Sequence, residues 1–165
     1  MYRNLLILVI GLLLAGPLGA AVKGAAGDPK APIRIFADQV KVDPNTHIST
    51  YSGHVELSQG EMKLTASQVT VYLKDGQLDR LEASGAPARF STVLEDGKPA
   101  VGEARKILFK AAAQRLVLQG DGRLEQGGNR VVNDHIEFDL ESGNLTAGGK
   151  AASGRVEVTI QPAAE

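Results

Sequence analysis

The sequence predicts an all-β domain, and three observations support this prediction. Period-2 alternation of apolar and polar residues recurs from Ile33 onward, whereas the i, i+3, i+4 spacing of an amphipathic helix does not persist beyond a few residues. Turn-forming runs such as Asp43-Pro44-Asn45 separate the alternating stretches. The chain has no cysteine, so we expect sheet hydrogen bonding and packing to stabilise it without disulfides.

The composition excludes several function classes. A length of 165 residues suits one domain with a modest core. The 18 Lys and Arg against 19 Asp and Glu give a net charge of -1, which lacks the basic excess that nucleic-acid binding needs. Without cysteine there is no Cys-ligated zinc or iron–sulfur site and no Cys nucleophile.

The first residues are typical of an export signal. Tyr2-Arg3-Asn4 is a short basic segment, and an apolar run follows from Leu5 to Leu14 before Gly16-Pro17. An uncleaved anchor is the alternative, but a spanning helix needs about 20 apolar residues. We expect a signal peptide over 1–21, a flexible lead-in over 22–32, one domain over 33–160 and a tail over 161–165. An exported all-β domain without cysteine fits the bacterial periplasm.

The alternation and the turn residues divide the domain into ten candidate strands. Dipeptides and tripeptides rich in Gly, Asp and Asn mark the hairpins between them, such as Gln59-Gly60, Lys74-Asp75-Gly76 and Ser142-Gly143-Asn144. The predicted strands are 33–43, 47–59, 62–73, 78–84, 88–93, 104–110, 115–126, 130–140, 144–147 and 154–160.

An internal repeat appears when the sequence is compared with itself at an offset of 67 residues. Gly53 then matches Gly120, and Gln59-Gly60 matches Gln126-Gly127. The segments 33–85 and 100–152 are therefore interpreted as two copies of one unit. Repetition by itself only extends a sheet, but stacked repeats also build continuous binding surfaces.

A shorter signature occurs twice in each copy, beginning at Ala37, Ala66, Ala104 and Asn133. In each case the apolar alternation resumes one residue out of phase. A one-residue slip turns the side chains to the opposite face unless a β-bulge absorbs it. We expect a bulge or kink at each of the four places, curling the sheet into a twisted trough.

The predicted interior is mostly aliphatic and of medium size, which leaves two alternatives open. The two faces of a sandwich either pack to normal density or leave an apolar slot suited to an acyl chain. The inward-facing candidates are Ile33, Ile35, Val40, Val42, Ile48, Val55, Leu57, Leu64, Val69, Val71, Leu81, Phe90, Ile107, Phe109, Leu116, Leu118, Leu124, Ile136, Phe138, Val156, Val158 and Ile160.

No catalytic, metal or cofactor site is predicted. His47, His54 and His135 are not spaced to share a strand face or a helix face, and no G-x-S-x-G motif or paired-carboxylate arrangement is present. The glycine pairs Gly127-Gly128 and Gly148-Gly149 precede no helix, so they are hairpin turns rather than phosphate-binding loops. An enzymatic role is therefore the least favoured class.

The two ends of the domain both predict regular strands. If 33–42 and 154–160 lie at sheet edges, the last strand of one subunit pairs with the first strand of the next, through Ile33, Ile35, Val156, Val158 and Ile160. The alternative is that each edge is covered by its own chain.

Several ordered motifs resemble the LptA/OstA family of periplasmic lipopolysaccharide-transport proteins over about residues 33–145. They are Ala31-Pro32-Ile33-Arg34-Ile35-x-Ala37-Asp38, Tyr51-Ser52-Gly53-His54-Val55-x-Leu57-x-Gln59-Gly60, Leu64-x-Ala66-x-x-Val69-x-Val71, Gly85-Ala86-Pro87-Ala88-x-Phe90 and Leu116-x-Leu118-x-Gly120.

The resemblance implies a twisted antiparallel β-jelly roll with an open apolar trough that carries lipopolysaccharide without catalysis. It implies end-to-end self-association and two further partners, an LptC-like inner-membrane export complex and an LptD-like outer-membrane translocon. Arg34 and Arg89 are the expected basic residues of the rim. The expected lipid contacts are Ile33, Ile35, Val42, Phe90, Phe109, Leu118 and Phe138. The alternative function is a periplasmic adaptor that joins partners by strand pairing and holds no lipid.

Overall fold

The computed structural model describes residues 31–149 and 153–162. The predicted signal peptide lies outside the described residues, as do most of the lead-in and of the tail. The described residues form ten antiparallel strands and no helix, which confirms the predicted all-β class. The strands are β1 (Arg34–Phe36), β2 (Gln39–Asp43), β3 (Ile48–Gln59), β4 (Met62–Lys74), β5 (Gln77–Val93), β6 (Pro99–Lys110), β7 (Arg115–Gln126), β8 (Asn129–Asp139), β9 (Leu145–Ala147) and β10 (Glu157–Thr159).

Some strand boundaries differ from the prediction. The first predicted strand is two strands, because the chain bends between Phe36 and Gln39. The predicted strands 78–84 and 88–93 are one strand, β5, whose pairing with β6 shifts register between Ser84 and Ala88. Gly85-Ala86-Pro87 therefore forms a bulge within a strand rather than a loop between two.

Each central strand bends at a bulge, and the repeated signature predicts the bulges of β4, β6 and β8, near Ala66, Ala104 and Asn133, but not those of β3, β5 and β7. A register shift divides each of four strand pairings into two halves: β3 with β4, β4 with β5, β6 with β7, and β7 with β8. At the bulges of β3 and β7 two residues adopt positive φ, and they are equivalent in the two copies: Gly53 and His54 in the first, Gly120 and Asp121 in the second. The duplicated sequence thus produces duplicated backbone geometry.

The bulges fold the sheet into two facing layers. Layer A begins with β1 and ends with β10, and between them lie the halves of β3 to β8 that connect these two strands by pairing. Layer B begins with β2 and ends with β9, with the other halves of β3 to β8 between them. Apolar side chains of both layers form a single buried cluster, which includes Leu64 and Phe90 of layer A and Ile107 and Phe138 of layer B. The face of each layer that contributes to this cluster is called the inner face.

Strand order follows the chain, β1-β3-β4-β5-β6-β7-β8-β10, with β2 beside β3 and β9 beside β8. The first edge of the molecule is therefore β1 with β2, and the last edge is β10 with β9. One interior prediction is wrong: Ile48 pairs with Asp43 and Tyr72 on the outer face. Its neighbour Ser49 takes the inner position, because it pairs with Val71 and Val42.

Candidate functional site

The inner faces carry continuous rows of apolar side chains that run from the first edge to the last. Residues directly opposite on neighbouring strands project to the same face, so each row follows from the strand register. In layer A the row is Ile35, Leu57, Leu64, Phe90, Gly102, Leu124, Val131 and Val158.

Layer B carries two such rows. The first is Val40, Tyr51, Val69, Ala83, Ile107, Leu118, Ile136 and Ala147. The second is Val42, Ser49, Val71, Leu81, Phe109, Leu116, Phe138 and Leu145. Three rows, apolar except at Ser49, therefore connect the two edges of the molecule through its interior.

Six of the seven predicted lipid contacts belong to these rows, and Ile33 lies just before β1, but the six differ in exposure. Phe90, Phe109, Leu118 and Phe138 are buried between the layers. In contrast, Ile35 is half-buried and Val42 is 61% exposed, because they lie on the edge strands where the rows begin. In the central strands the space between the layers is thus filled by side chains, whereas the inner face is accessible at the first edge of the molecule.

A cavity of about 450 Å³ opens between the layers and is lined by residues of both copies. Ile33 and Gln59 contribute to it from layer A, and Leu78 and Phe109 from layer B. The rest of its lining is Ala31, Gln77, Ala111, Ala112 and Gln114. This opening, which we call the mouth, brings together two predicted lipid contacts that are 76 positions apart in sequence, Ile33 and Phe109.

Two glutamines of the mouth are held by backbone hydrogen bonds. Nε2 of Gln59 donates to the carbonyl oxygen of Ala31 at 3.1 Å, and Nε2 of Gln114 donates to the carbonyl oxygen of Ala111 at 2.8 Å. Sequence reasoning missed these glutamines, because period-2 patterning classes a polar residue as outward-facing. The signal that marks Gln59 is its exact repetition as Gln126 in the second copy.

The two predicted rim arginines lie on the outer face of layer A. Arg89 alternates with the buried Phe90, and its Nε lies 3.0 Å from Oε2 of Glu103. Nη1 of Arg123 binds the other oxygen of Glu103 at 2.9 Å. Arg34 alternates with Ile35 in the same way on the first edge strand. Neither arginine borders the mouth, and their predicted place at the rim of the trough stays a prediction.

The edge strands expose apolar side chains at both ends. At the last edge Val156, Val158 and Ile160 are exposed, and Val158 pairs with Val131 as the last member of the layer A row. At the first edge Val40 and Val42 are exposed at the start of the layer B rows. Both edges of the chain thus present the ends of its apolar rows.

Charged side chains are arranged away from the inner faces. On the outer face Lys106 lies 2.8 Å from Glu82 and lowers the pKa of that carboxyl. At the bulge of β3, the hydrogen bond from His54 to Asp38 raises the pKa of the imidazole. The described residues contain no group of three His, Cys, Asp or Glu side chains that could hold a metal ion. No helix in the described part of the chain is long and apolar enough to cross a membrane.

Comparison with known proteins identifies the family. Residues 34–144 match the family model for the LptA/(LptD N-terminal domain) LPS transport protein. The chain is 30% identical over 145 residues to the lipopolysaccharide export system protein LptA of Escherichia coli (strain K12), covering 85% of this chain and 78% of that protein. It is 29% identical over 175 residues to LptH of Pseudomonas aeruginosa, covering 98% and 96% of the two chains.

The fold agrees with that comparison. The crystal structure of LptH, the LptA homologous periplasmic component of the lipopolysaccharide transport device of Pseudomonas aeruginosa, superposes with a TM-score of 0.75 at 26% identity. The match covers 82% of this chain and 99% of that chain. The chain belongs to the LptA/(LptD N-terminal domain) family of LPS transport proteins.

Proposed function

We propose that this protein is a non-enzymatic periplasmic carrier of lipopolysaccharide that holds the acyl chains between its two layers. The observation that supports the proposal most directly is the set of three apolar rows that join one edge of the molecule to the other. Each buried methylene of an acyl chain contributes about 0.8 kcal/mol. The apolar rows offer this contact where they are accessible, at the first edge and at the mouth.

The exposed edges support a bridging role for the same protein. An unpaired strand adds a strand from another chain by main-chain hydrogen bonding. If the last edge of one subunit pairs with the first edge of the next, the layer A row that ends at Val158 continues into the row that begins at Ile35. We propose the same strand pairing for the junctions with an LptC-like inner-membrane export complex and an LptD-like outer-membrane translocon.

The carrier function is tested by asking whether binding of lipopolysaccharide depends on its acyl chains. Purified protein is titrated with lipopolysaccharide and, separately, with the polysaccharide released from it, which has the sugars but no acyl chains. We expect saturable binding of the first and none of the second. Equal binding of both would place the contact on the polar surface and overturn the proposal. The adaptor alternative predicts that neither binds while strand pairing with other subunits persists.

A further inference from the structure

Charged side chains of opposite sign lie unpaired at opposite edges of the molecule. Arg34 is exposed on the outer face of β1 at the first edge, and Glu157 is exposed on the outer face of β10 at the last edge. Among the residues that the structure describes, neither side chain has an ion-pair partner. In the central strands, by contrast, Glu103 binds both Arg89 and Arg123. The two edges therefore keep charges that a partner of opposite charge can use.

The internal repeat shows how the first edge differs from this paired pattern. Glu103 and Arg123 are opposite each other on β6 and β7 and form an ion pair of 2.9 Å. Their equivalents in the first copy are Phe36 and Glu56, which are opposite each other on β1 and β3. The phenylalanine has no charge to offer the carboxylate, and it is 67% exposed. In place of an ion pair, the first edge thus presents an exposed aromatic ring beside an acidic side chain.

Strand direction determines how a second copy of the chain meets these groups. The eight strands of layer A follow the order β1-β3-β4-β5-β6-β7-β8-β10, and each is antiparallel to its neighbour. β1 and β10 therefore run in opposite directions. When two copies stack in the same orientation, β10 of one copy meets β1 of the next as an antiparallel neighbour, like every other pair in the sheet. This contact between a last edge and a first edge is called the joint.

Two antiparallel registers keep the apolar inner faces of both copies in line at the joint. Val158 lies opposite Ile35 in the first register, and Val156 lies opposite Ile35 in the second. Glu157 is then diagonal to Arg34 in the first register and directly opposite it in the second. Long side chains interact across a strand pair at both of these positions. The contact between Glu157 and Arg34 is therefore the same in either register.

Other ways of joining two copies bring like charges together. A register moved two residues the other way places Glu157 opposite Asp38 of the next copy. Two first edges bring Arg34 next to a second Arg34, and two last edges bring Glu157 next to a second Glu157. Like charges directly opposite each other are destabilising in a sheet. Repulsion of this kind is one means by which proteins reject wrong pairings.

We infer that Arg34 of one subunit forms an ion pair with Glu157 of the next, and that this pair fixes the direction in which copies of the chain join. The inference rests on the proposed strand pairing and adds the residues that select a last edge for each first edge. A joint between two different surfaces extends copy by copy rather than closing as a two-fold dimer. The apolar rows of successive copies then continue in one direction.

Arg155 provides a second contact at the same joint. Its side chain is exposed at the last edge, and within the described part of the chain it has no ion-pair partner. Arg155 lies diagonal to Phe36 in the first register and opposite it in the second, where a guanidinium group over the ring is attractive. Glu56 lines a depression of about 270 Å³ beside the ring and offers the guanidinium an acceptor. The exposed ring of the first edge is thereby covered.

Exchange of the two charges tests the ion pair. Arg34→Glu and Glu157→Arg are prepared singly and together, and self-association of the purified proteins is measured by sedimentation velocity. Each single variant brings like charges together at the joint and should weaken self-association at least about tenfold. The double variant has the charges exchanged and should return to within about threefold of the wild type. A mixture of the two single variants should also associate, because each then meets its complement.

The control variant combines Glu61→Arg with Lys74→Glu. It makes the same changes of charge at exposed positions beside the start of β4 and at its end, away from both edges, and should associate like the wild type. Phe36→Ala should weaken self-association about two- to fivefold, whereas Phe36→Tyr should not, because tyrosine keeps the aromatic face. Circular dichroism confirms that every variant is folded.

The outcomes separate this inference from the proposed function. Single variants that associate like the wild type, or a double variant and a mixture that stay dissociated, would overturn the ion pair while strand pairing and the carrier function stand. Wild-type protein that stays monomeric at every concentration would overturn the proposed pairing between copies, and the ion pair with it. Lipopolysaccharide binding, measured by titration, should be the same in all variants. Its loss in Arg34→Glu alone would assign this arginine to the lipid and overturn the inference.

Discussion

Asp38 and His54 form an ion pair, 2.7 Å from Oδ2 to Nδ1, that ties the connection between β1 and β2 to the bulge of β3. The backbone N–H of Asp38 also donates to the carbonyl oxygen of Gly53 at 2.9 Å. In the second copy Arg105 and Asp121 occupy the equivalent positions with the charges exchanged, and they lie 3.1 Å apart. The same contact is therefore dependent on histidine protonation in one copy only.

This difference predicts a pH effect confined to the first copy. The hydrogen bond with Asp38 raises the pKa of His54 in the folded state. Its contribution to stability is therefore complete below the pKa of the unfolded histidine and is lost as the pH rises through the folded pKa. Thermal unfolding of the wild type and of His54→Gln is compared at about pH 5.5 and about pH 8.5. The wild type should be the more stable protein at the lower pH, by a margin that shrinks at the higher.

The control for the pH effect is His47→Gln. His47 has a φ of 56°, and its equivalent in the second copy is Gln114 with a φ of 44°, so glutamine fits this backbone. This variant should keep the pH profile of the wild type. A margin between wild type and His54→Gln that is the same at both pH values would contradict the assignment to the Asp38 pair.

The position of Gly102 under Phe90 predicts a packing defect on substitution. A Cβ built on Gly102 would clash with Cε1 of the Phe90 ring, and both residues are buried in the layer A row. Gly102→Ala should therefore lower the free energy of unfolding by about 1–3 kcal/mol, as overpacking does. Urea denaturation measures it. In a Phe90→Leu background, Gly102→Ala should lower the free energy of unfolding by less. An equal loss in that background would show that the clash is not with the Phe90 ring.

The apolar rows predict different costs at their centre and at their ends. Phe138 is buried, so Phe138→Ala should lower the free energy of unfolding by about 3–5 kcal/mol. Val42 lies in the same row but is exposed, and Val42→Ala should change it by no more than about 0.5 kcal/mol. Chemical denaturation distinguishes the two. A large loss of stability in Val42→Ala would mean that the first edge belongs to the packed core rather than to an accessible surface.

The last edge predicts how self-association responds to charge. Val158→Lys places a cation on the exposed end of the layer A row, where edge charges oppose strand pairing. Self-association measured by sedimentation velocity should weaken by about tenfold or more. Val101 is also an exposed valine but lies on the outer face of the central strand β6, so Val101→Lys should associate like the wild type. Equal weakening in both variants would contradict pairing through this edge.

Alternation and glycine placement were sufficient to predict most of the fold. The signature at Ala66 and Ala104 predicted bulges because a phase slip has no other solution in a strand, and the register shifts confirm it. The same reasoning failed at Ile48, because an apolar residue was assigned to the interior although it lies on the outer face beside Tyr72.

The mouth was not predictable from strand patterning, since its lining combines the ends of separate strands with the turn between β6 and β7. Gln59, Leu78 and Gln114 meet only because the bulges bring layer A over layer B. The surroundings of Arg89 were not predictable for a related reason. A basic residue next to Phe90 was expected near the lipid, but adjacent residues of a strand face opposite sides of the sheet, and Glu103 binds Arg89 on the outside.

The central claim is that acyl chains lie against the inner face, and neighbouring residues of one edge strand test it most directly. Val42 and Lys41 are both exposed on β2, and they project to opposite faces. Each is replaced in turn by a photo-cross-linking phenylalanine analogue, and the protein is irradiated with lipopolysaccharide bound. Adducts at position 42 and none at position 41 are the predicted result. Adducts at position 41 that equal or exceed those at position 42 would contradict the claim.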